Sequence, residues 1–298
     1  MRGKRWCLSL SLSPLTSHLS PFTHSHVTSA SPTDWQHWDI HPSVAIGIVA
    51  LAALYVRLGG LAAPRRRVVS FGASLLVLFL SLNGPLHDLS DSYLFSAHMV
   101  QHLILTLLFP PLFLYGLPAQ VVRPFLGVRW VRALGQWMTR PVPAAAIFTT
   151  PIVLWHLPLF YEAAMRHHPL HIVQHLVFLA TSVVMWWPVL SPVPELPRAS
   201  YPAQLLYLFL LGIPMSIVGA MITLATDPLY PFYVAAPRVW GISALDDQQW
   251  GGLIMWVLGG LIFWVAMTVV WFRWGMREER GDVERQVPLE AYGVRGER

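Results

Sequence analysis

Seven apolar stretches of about 20 residues dominate the hydrophobic pattern between Pro42 and Phe272. A helix needs about 20 mostly apolar residues to cross a hydrocarbon layer about 30 Å thick. The pattern therefore predicts an all-α, polytopic membrane bundle with seven transmembrane helices. We place these helices at about 42–63, 68–86, 92–117, 141–160, 169–190, 201–226 and 250–272.

Three local motifs add detail to this pattern. Pro110 and Pro111 lie within the third helix, and proline removes a backbone donor, so a kink or break is expected there. Trp186-Trp187-Pro188 closes the fifth helix and is typical of an aromatic belt at a membrane interface. Gly251-Gly252 opens the seventh helix and predicts close packing against a neighbouring helix.

The flanks of the apolar region differ from it in composition. Residues 1–40 are rich in Ser, Thr and His, and we expect an extracytoplasmic, disordered N-terminal extension. Residues 41–273 would form the seven-helix transmembrane domain. Residues 274–298 are strongly charged and are expected to be a cytoplasmic tail, disordered or frayed after Phe272.

Composition supports the membrane interpretation and excludes other classes of protein. Hydrophobic residues make up 55% of the chain and charged residues only 12%, whereas soluble domains carry about 25% charged residues. The net charge of +5 comes from arginines in short gaps between apolar stretches, so no nucleic-acid partner is expected. Cys7 is the only cysteine, which excludes a Cys-x-Cys or Cys-x-x-Cys metal site.

The distribution of basic residues predicts the orientation of the bundle. Fifteen of the 20 Lys and Arg residues fall in the connections after helices 1, 3 and 5 or in the tail. Because cytoplasmic loops carry an excess of Lys and Arg, these connections are assigned to the cytoplasm. The N-terminus is then expected outside the cytoplasm and the C-terminus inside.

The histidines fall on the opposite side of the membrane from most arginines. On this topology, all ten histidines after residue 31 lie outside or in the outer leaflet: His37, His41, His87, His98, His102, His156, His167, His168, His171 and His175. Ionisable side chains inside a membrane are costly, and they usually face the bundle interior and serve a function. This segregation points to a functional site near the outer surface.

Two histidine pairs are the strongest candidates for this site. His98 and His102 on the third helix, and His171 and His175 on the fifth, have the i, i+4 spacing that places both imidazoles on one helix face. Four imidazoles would converge if these two helices are neighbours. Further candidate metal ligands, or groups that orient the ligands, are His156, His87 and Asp247.

Imidazole alone does not select one metal, since it suits copper, zinc, iron and nickel. Met99, Met165 and Met221 lie near the same level and would favour Cu(I). Two other classes of function fit the same histidines. One is an electron-transfer protein with haem or a di-metal centre, and the other is a proton-coupled transporter that uses the histidines as a relay.

Several segments in order along the chain resemble the CtaG-like family of cytochrome c oxidase assembly factors. They are His98-Met99-Val100-Gln101-His102, Trp155-His156-Leu157-Pro158, His171-Ile172-Val173-Gln174-His175, Trp186-Trp187-Pro188 and Asp247-Gln248-Gln249-Trp250-Gly251-Gly252. The resemblance covers about Pro42 to Phe272. It implies a multi-pass protein of the bacterial plasma (inner) membrane that is needed to make an active haem-copper oxidase through copper delivery.

Together, residues and resemblance predict an assembly factor rather than an enzyme. It would bind a metal ion, preferably copper, at an outward-facing histidine cluster. Its partners would be cytochrome c oxidase subunits and the lipid bilayer, and the ion would pass on by ligand exchange. The metal ligands expected are His98, His102, His171 and His175, with His156, His87 and Asp247 beside them.

Overall fold

The computed structural model describes Trp38, Ile40 and residues 41–291, with side chains described as far as Glu279. The predicted N-terminal extension, residues 1–40, lies outside the described residues except for Trp38 and Ile40. The last seven residues of the predicted tail also lie outside them. Within the described part of the chain there is no β-strand, which confirms the all-α class.

The described part of the chain contains one short 3-10 helix, Gly60–Ala62, and twelve α-helices. They are α1 (Pro42–Arg57), α2 (Arg65–Leu82), α3 (Pro85–Ser92), α4 (Phe95–Gly116), α5 (Ala119–Leu126), α6 (Arg129–Met138), α7 (Pro141–His156), α8 (Pro158–Arg166), α9 (His168–Leu190), α10 (Tyr201–Thr223), α11 (Pro231–Ala235) and α12, which begins at Ala244 and ends at Ala291. Both α4 and α12 contain a five-residue π-helical segment, Ile104–Leu108 and Ile254–Leu258.

Four of these helices are long and apolar enough to cross a membrane: α4, α9, α10 and the Ala244–Glu279 part of α12. Two bent pairs, α2 with α3 and α7 with α8, raise the number to six if each pair is one span. Helix α1 is apolar but has only 16 residues. The molecule is thus a polytopic membrane bundle, whereas the count of seven and the orientation of the termini stay predictions.

Arginine-bearing segments gather at one end of the bundle, which we call the arginine end. Arg67, at the start of α2, donates a hydrogen bond to the carbonyl of Leu117, just after α4 (2.9 Å). Burial, together with the charges of Arg273 and Arg67, lowers the pKa of Arg198 in the α9–α10 connection. The starts of α4 and α9 and the end of α7 lie at the opposite end, which we call the histidine end.

The two prolines of α4 distort the helix without breaking it. The helix continues from Phe95 to Gly116, so of the kink or break expected there a break is absent, and the helix is distorted by the π segment that ends at Leu108, two residues before Pro110. Pro110 has no N–H to donate to the carbonyl of Thr106, four residues earlier. The indole Nε1 of Trp186 on α9 donates to that carbonyl instead (3.1 Å), which satisfies it in the core.

Two predictions at the helix ends need correction. Trp186 is buried and bonded to α4, so the aromatic-belt interpretation is wrong for this residue. The chain also stays helical after Phe272, as far as Ala291, where disorder or fraying was expected. Met276-Arg277-Glu278-Glu279, which follow Gly275 in the tail, are good helix formers, so the helix continues beyond its apolar part.

The predicted close packing at Gly251-Gly252 is confirmed. A Cβ added at Gly251 would lie 2.3 Å from a ring carbon of Phe95 on α4. One added at Gly252 would lie 2.3 Å from the hydroxyl oxygen of Thr223 at the end of α10. These two glycines let α12 approach both helices closely, and they hold it against the start of α4.

Candidate metal centre

Helices α4 and α9 present their histidine pairs to each other at the histidine end. The ring centroids of His98 and His102 are 4.2 Å apart, and those of His171 and His175 are 4.3 Å apart. Between the helices, His98 lies 5.3 Å from His171, and His102 lies 5.6 Å from His175. All four side chains are buried. The two helices are therefore neighbours, and the four imidazoles converge as expected for that arrangement.

A fifth imidazole reaches the cluster from α7. His156 is the last residue of α7, and Pro158 starts α8 after a bend of 78°. The ring of His156 lies 5.8 Å from that of His102. Its Nδ1 is 2.7 Å from the carbonyl oxygen of Ile152 and must donate a hydrogen to it, because a carbonyl only accepts. The Nε2 atom of His156 therefore carries a free lone pair.

Among the residues that the structure describes, four imidazole nitrogens in this cluster are buried without a hydrogen-bond partner: His102 Nδ1, His156 Nε2, His171 Nε2 and His175 Nε2. Buried polar atoms in folded proteins are normally hydrogen-bonded, and each unsatisfied one costs about 1–3 kcal/mol. Four such atoms in one place are a large departure from this rule. Nitrogen lone pairs that lack a donor are the groups that a transition-metal ion would satisfy.

Two sets of three residues are close enough to share an ion. His98, His102 and His175 each offer a ligand atom, and these atoms lie within 4.8 Å of one another. Asp91, His98 and His171 form a second such set. Two imidazole nitrogens bonded to one zinc ion at about 2.0 Å lie at most about 4 Å apart. Small side-chain rotations would therefore bring either set into ligand geometry.

The closest contact in the cluster joins His98 and His102, whose Nε2 atoms are 2.8 Å apart. Two lone pairs cannot face each other at this distance without repulsion, so a proton or a cation must lie between them. The other nitrogen of His98, Nδ1, is 3.0 Å from the hydroxyl of Tyr233. That hydroxyl donates its own hydrogen to the carbonyl of Ser90 (2.7 Å), so it accepts from His98.

Tyrosines close one side of the cluster. Tyr233 lies on α11, is fully buried, and contacts the hydroxyl of Tyr161 at 3.2 Å. Burial raises the pKa of Tyr233 well above its usual value, so the phenol stays protonated. The phenol oxygen of Tyr233 accepts the hydrogen on Nδ1 of His98. The lone pair of His98 is therefore on Nε2, which faces His102.

A carboxylate network lies beside the cluster on α3. The Oδ2 atom of Asp91 is 3.3 Å from His171 Nδ1 and 3.5 Å from His87 Nε2. Ser90 donates to Oδ1 of the same carboxylate (2.9 Å). The structure thus places His87 next to Asp91 rather than in either three-residue set. A carboxylate on one ring nitrogen fixes the tautomer of a histidine and leaves the other nitrogen free to bind metal.

Asp247 belongs to neither three-residue set, and its carboxylate caps a helix instead. Its carboxylate accepts hydrogen bonds from the backbone N–H of Phe95 (2.7 Å) and Ser96 (3.0 Å), and from the Ser96 hydroxyl (2.5 Å). The first N–H groups of a helix have no partner within it, and Leu94, the N-cap residue of α4, makes no side-chain cap. Asp247 therefore caps α4 from another helix, three residues before His98.

Sequence reasoning missed several groups that the structure places at the centre. Asp91 and Tyr233 had no motif that linked them to the histidines, because their contacts depend on how distant helices pack. Gln101 and Gln174 did carry a signal, since each directly precedes the second histidine of its pair. Gln101 donates to the Ser81 carbonyl (2.6 Å) and contacts His87 Nδ1 (3.1 Å), whereas the buried amide of Gln174 has no hydrogen-bond partner among the residues described.

Three mycobacterial proteins are similar to this chain. An uncharacterised protein of Mycobacterium bovis and one of Mycobacterium tuberculosis are each 26% identical to it over 267 residues, which is 82% of the chain. An uncharacterised protein of Mycobacterium leprae is 24% identical over 261 residues. The chain spans about 40% of the length of these relatives. No solved structure matches it.

The sequence model of the cytochrome c oxidase caa3 assembly factor family, Caa3_CtaG, matches residues 47–277. This range contains the histidine cluster, its tyrosines and carboxylates, and every candidate membrane span except the end of α12. The match covers most of the chain and agrees with the order of motifs from His98 to Gly252. The chain therefore belongs to the cytochrome c oxidase caa3 assembly factor family.

Proposed function

We propose that this protein holds a copper ion at the histidine cluster and passes it to a cytochrome c oxidase during assembly. The observation that carries the proposal is the group of four buried imidazole nitrogens that have no partner. The chain belongs to a family of cytochrome c oxidase assembly factors, so we propose that a cytochrome c oxidase receives the ion. The protein would act as a carrier of the ion and not as an enzyme.

The residues take different roles in this proposal. His98, His102 and His175 would hold the ion, since their ligand atoms already lie within 4.8 Å of one another. His171 and His156 would be further ligands through their free Nε2 atoms. His87 would orient the Asp91 carboxylate, and Asp247 would hold the start of α4 in place.

The proposed setting is the bacterial plasma membrane, with the histidine end facing outside the cytoplasm. The separation of arginines and histidines to opposite ends of the bundle supports this orientation. Imidazoles near the outer face could exchange the ion with a partner at the membrane surface. Copper remains our choice over zinc because the recipient would be a copper enzyme.

The experiment that tests this function uses a bacterial strain whose own copy of the gene is deleted. The strain receives either the wild-type protein or the His102→Ala, His175→Ala double variant, and the copper content and oxygen consumption of its cytochrome c oxidase are measured. The matched control is His167→Ala, His168→Ala, which removes two exposed histidines at the start of α9.

We expect oxidase copper and activity at wild-type level with the control and at the level of the deletion strain with the double variant. Immunoblots must show equal amounts of all three proteins in the membrane. Full oxidase copper with the double variant would contradict the proposal.

A second candidate function is a proton relay, favoured by one observation. Hydrogen bonds run continuously from Tyr161 through Tyr233 and His98 to His102. Such a chain can relay a proton among these side chains at the histidine end of the bundle. A purified protein that binds no metal but supports a pH-dependent proton flux in vesicles would establish this function in place of copper delivery.

A further inference from the structure

The two sets of potential ligands in the cluster share one residue, His98. One set is His98, His102 and His175, and the other is Asp91, His98 and His171. The sets follow each other along the bundle because His171 lies one helical turn before His175 on α9. An ion bound by one set is therefore a short distance from the other set, with one ligand in common.

The two sets differ in chemistry. The first contains only imidazoles, which bind Cu(I) well, and all three side chains are buried. The second replaces one imidazole with the carboxylate of Asp91, a hard ligand that suits Cu(I) less well. The same carboxylate is also the more accessible group, since the Asp91 side chain is 20% exposed and the His171 side chain 6%.

We propose that the cluster provides two positions for one ion, a storage position at His98–His102–His175 and an exchange position at Asp91–His98–His171. This inference rests on the proposed function, since it describes how the carried ion leaves. His98 stays bound throughout. The bonds to His102 and His175 break as bonds to His171 and Asp91 form, and the ion keeps its oxidation state.

The neighbouring contacts fit an exchange position better than a permanent site. The carboxylate of Asp91 is already in contact with Ser90, His87 and His171, so binding the ion requires it to give up some of these contacts. Such competition weakens the bond to the ion and makes its release easier. In the storage position, by contrast, the Nε2 atom of His175 has no hydrogen-bond partner within the described part of the chain.

Release of Cu(I) from the full-length protein in detergent tests the proposal. The loaded protein is mixed with an excess of a chromogenic Cu(I) chelator, and the rate of colour formation is followed. The variants are Asp91→Asn, which removes the carboxylate charge, and Asp91→Glu, which keeps it. Asp227→Asn is the control, because Asp227 is an exposed carboxylate in the α10–α11 connection.

We expect one Cu(I) per wild-type chain, because the shared His98 cannot serve two ions. Asp91→Asn should keep one Cu(I) but release it about tenfold more slowly, a change of about 1.4 kcal/mol in the barrier. Asp91→Glu, which keeps the carboxylate, should release it faster than Asp91→Asn, and Asp227→Asn should release it at a rate close to that of the wild type. Should Asp91→Asn fail to fold, His171→Gln, which alters only the exchange position, is expected to slow release in the same way.

Equal release rates for the wild type and Asp91→Asn, with one ion bound to each, would overturn the exchange position and leave copper delivery intact. Two ions per wild-type chain, or complete loss of copper from a folded Asp91→Asn variant, would also overturn it. A wild-type protein that binds no Cu(I) would instead overturn the proposed function itself.

Discussion

The carboxylate of Asp247 on α12 accepts a hydrogen bond of 2.7 Å from the backbone N–H of Phe95, the first residue of α4. The two residues are 152 positions apart in sequence. This contact fixes the start of the helix that carries His98 and His102. It makes Asp247 part of the scaffold of the cluster, where sequence reasoning expected a ligand or a group that orients the ligands.

Substitution of Asp247 should affect stability more than metal binding. Hydrogen bonds to a charged group contribute about 1.5–3 kcal/mol, so Asp247→Asn should destabilise the protein by about that amount. The measurement is the melting temperature in detergent, followed by copper analysis at a temperature where the variant is folded. The control is Asp246→Asn, which affects only an exposed cap at the start of α12.

We expect the folded Asp247→Asn variant to bind as much copper as the wild type. A variant with an unchanged melting temperature and no bound copper would show instead that Asp247 is a ligand.

Gly251 provides a second test of how α12 is held against α4. Gly251→Ala places a methyl group against the ring of Phe95, and overpacking of this kind costs about 1–3 kcal/mol. Gly260→Ala on the same helix meets no atom within 4 Å and should stabilise the helix by about 0.5–1 kcal/mol. Thermal unfolding of the two variants should therefore shift in opposite directions, and equal shifts would contradict the packing described here.

Trp186 should be important for the stability of α4 beside its prolines. Trp186→Phe removes the donor to the Thr106 carbonyl, and a buried acceptor left without a partner costs about 1–3 kcal/mol. Trp187→Phe is the matched control, because Trp187 is only partly buried and its bond to the Leu196 carbonyl is longer, at 3.3 Å. A larger loss of melting temperature for the control would argue against this role of Trp186.

Tyr233 should tune the affinity of the cluster without being a ligand. Tyr233→Phe removes the acceptor for the Nδ1–H of His98, and loss of such a supporting contact typically lowers metal affinity about 10–100-fold. Competition with a chelator of known Cu(I) affinity measures the effect. Tyr201→Phe, at the arginine end, should leave affinity unchanged. Wild-type affinity in Tyr233→Phe would show that this contact does not orient His98.

The sequence was sufficient to predict the long apolar helices and the pairing of the histidines on two of them. Helix positions follow from apolar length, and the i, i+4 spacing determines that His98 and His102 share a face whatever the tertiary structure. The sequence left open whether α4 and α9 are neighbours, and the ring distances between the two histidine pairs show that they are.

The groups around the histidines could not be predicted in the same way. Asp247 caps α4, and Tyr233 bonds to His98, across more than 130 residues, so neither contact leaves a local pattern. A tryptophan at this place in the sequence is typical of a membrane interface. The burial of Trp186 follows instead from its hydrogen bond to the Thr106 carbonyl, which no local sequence pattern indicates. The high charge of the residues after Phe272 favoured a disordered tail, whereas the helix propensity of these residues agrees with the observed continuation of α12.

Copper analysis of the purified protein tests the central claim most directly. Wild-type protein and the His102→Ala, His175→Ala double variant are loaded with Cu(I), freed of excess ion, and assayed for copper per chain, with equal folding checked by thermal unfolding. We expect one copper ion per wild-type chain and almost none in the double variant. Equal copper in the two proteins would contradict the assignment of the buried histidine cluster as the site that holds the ion.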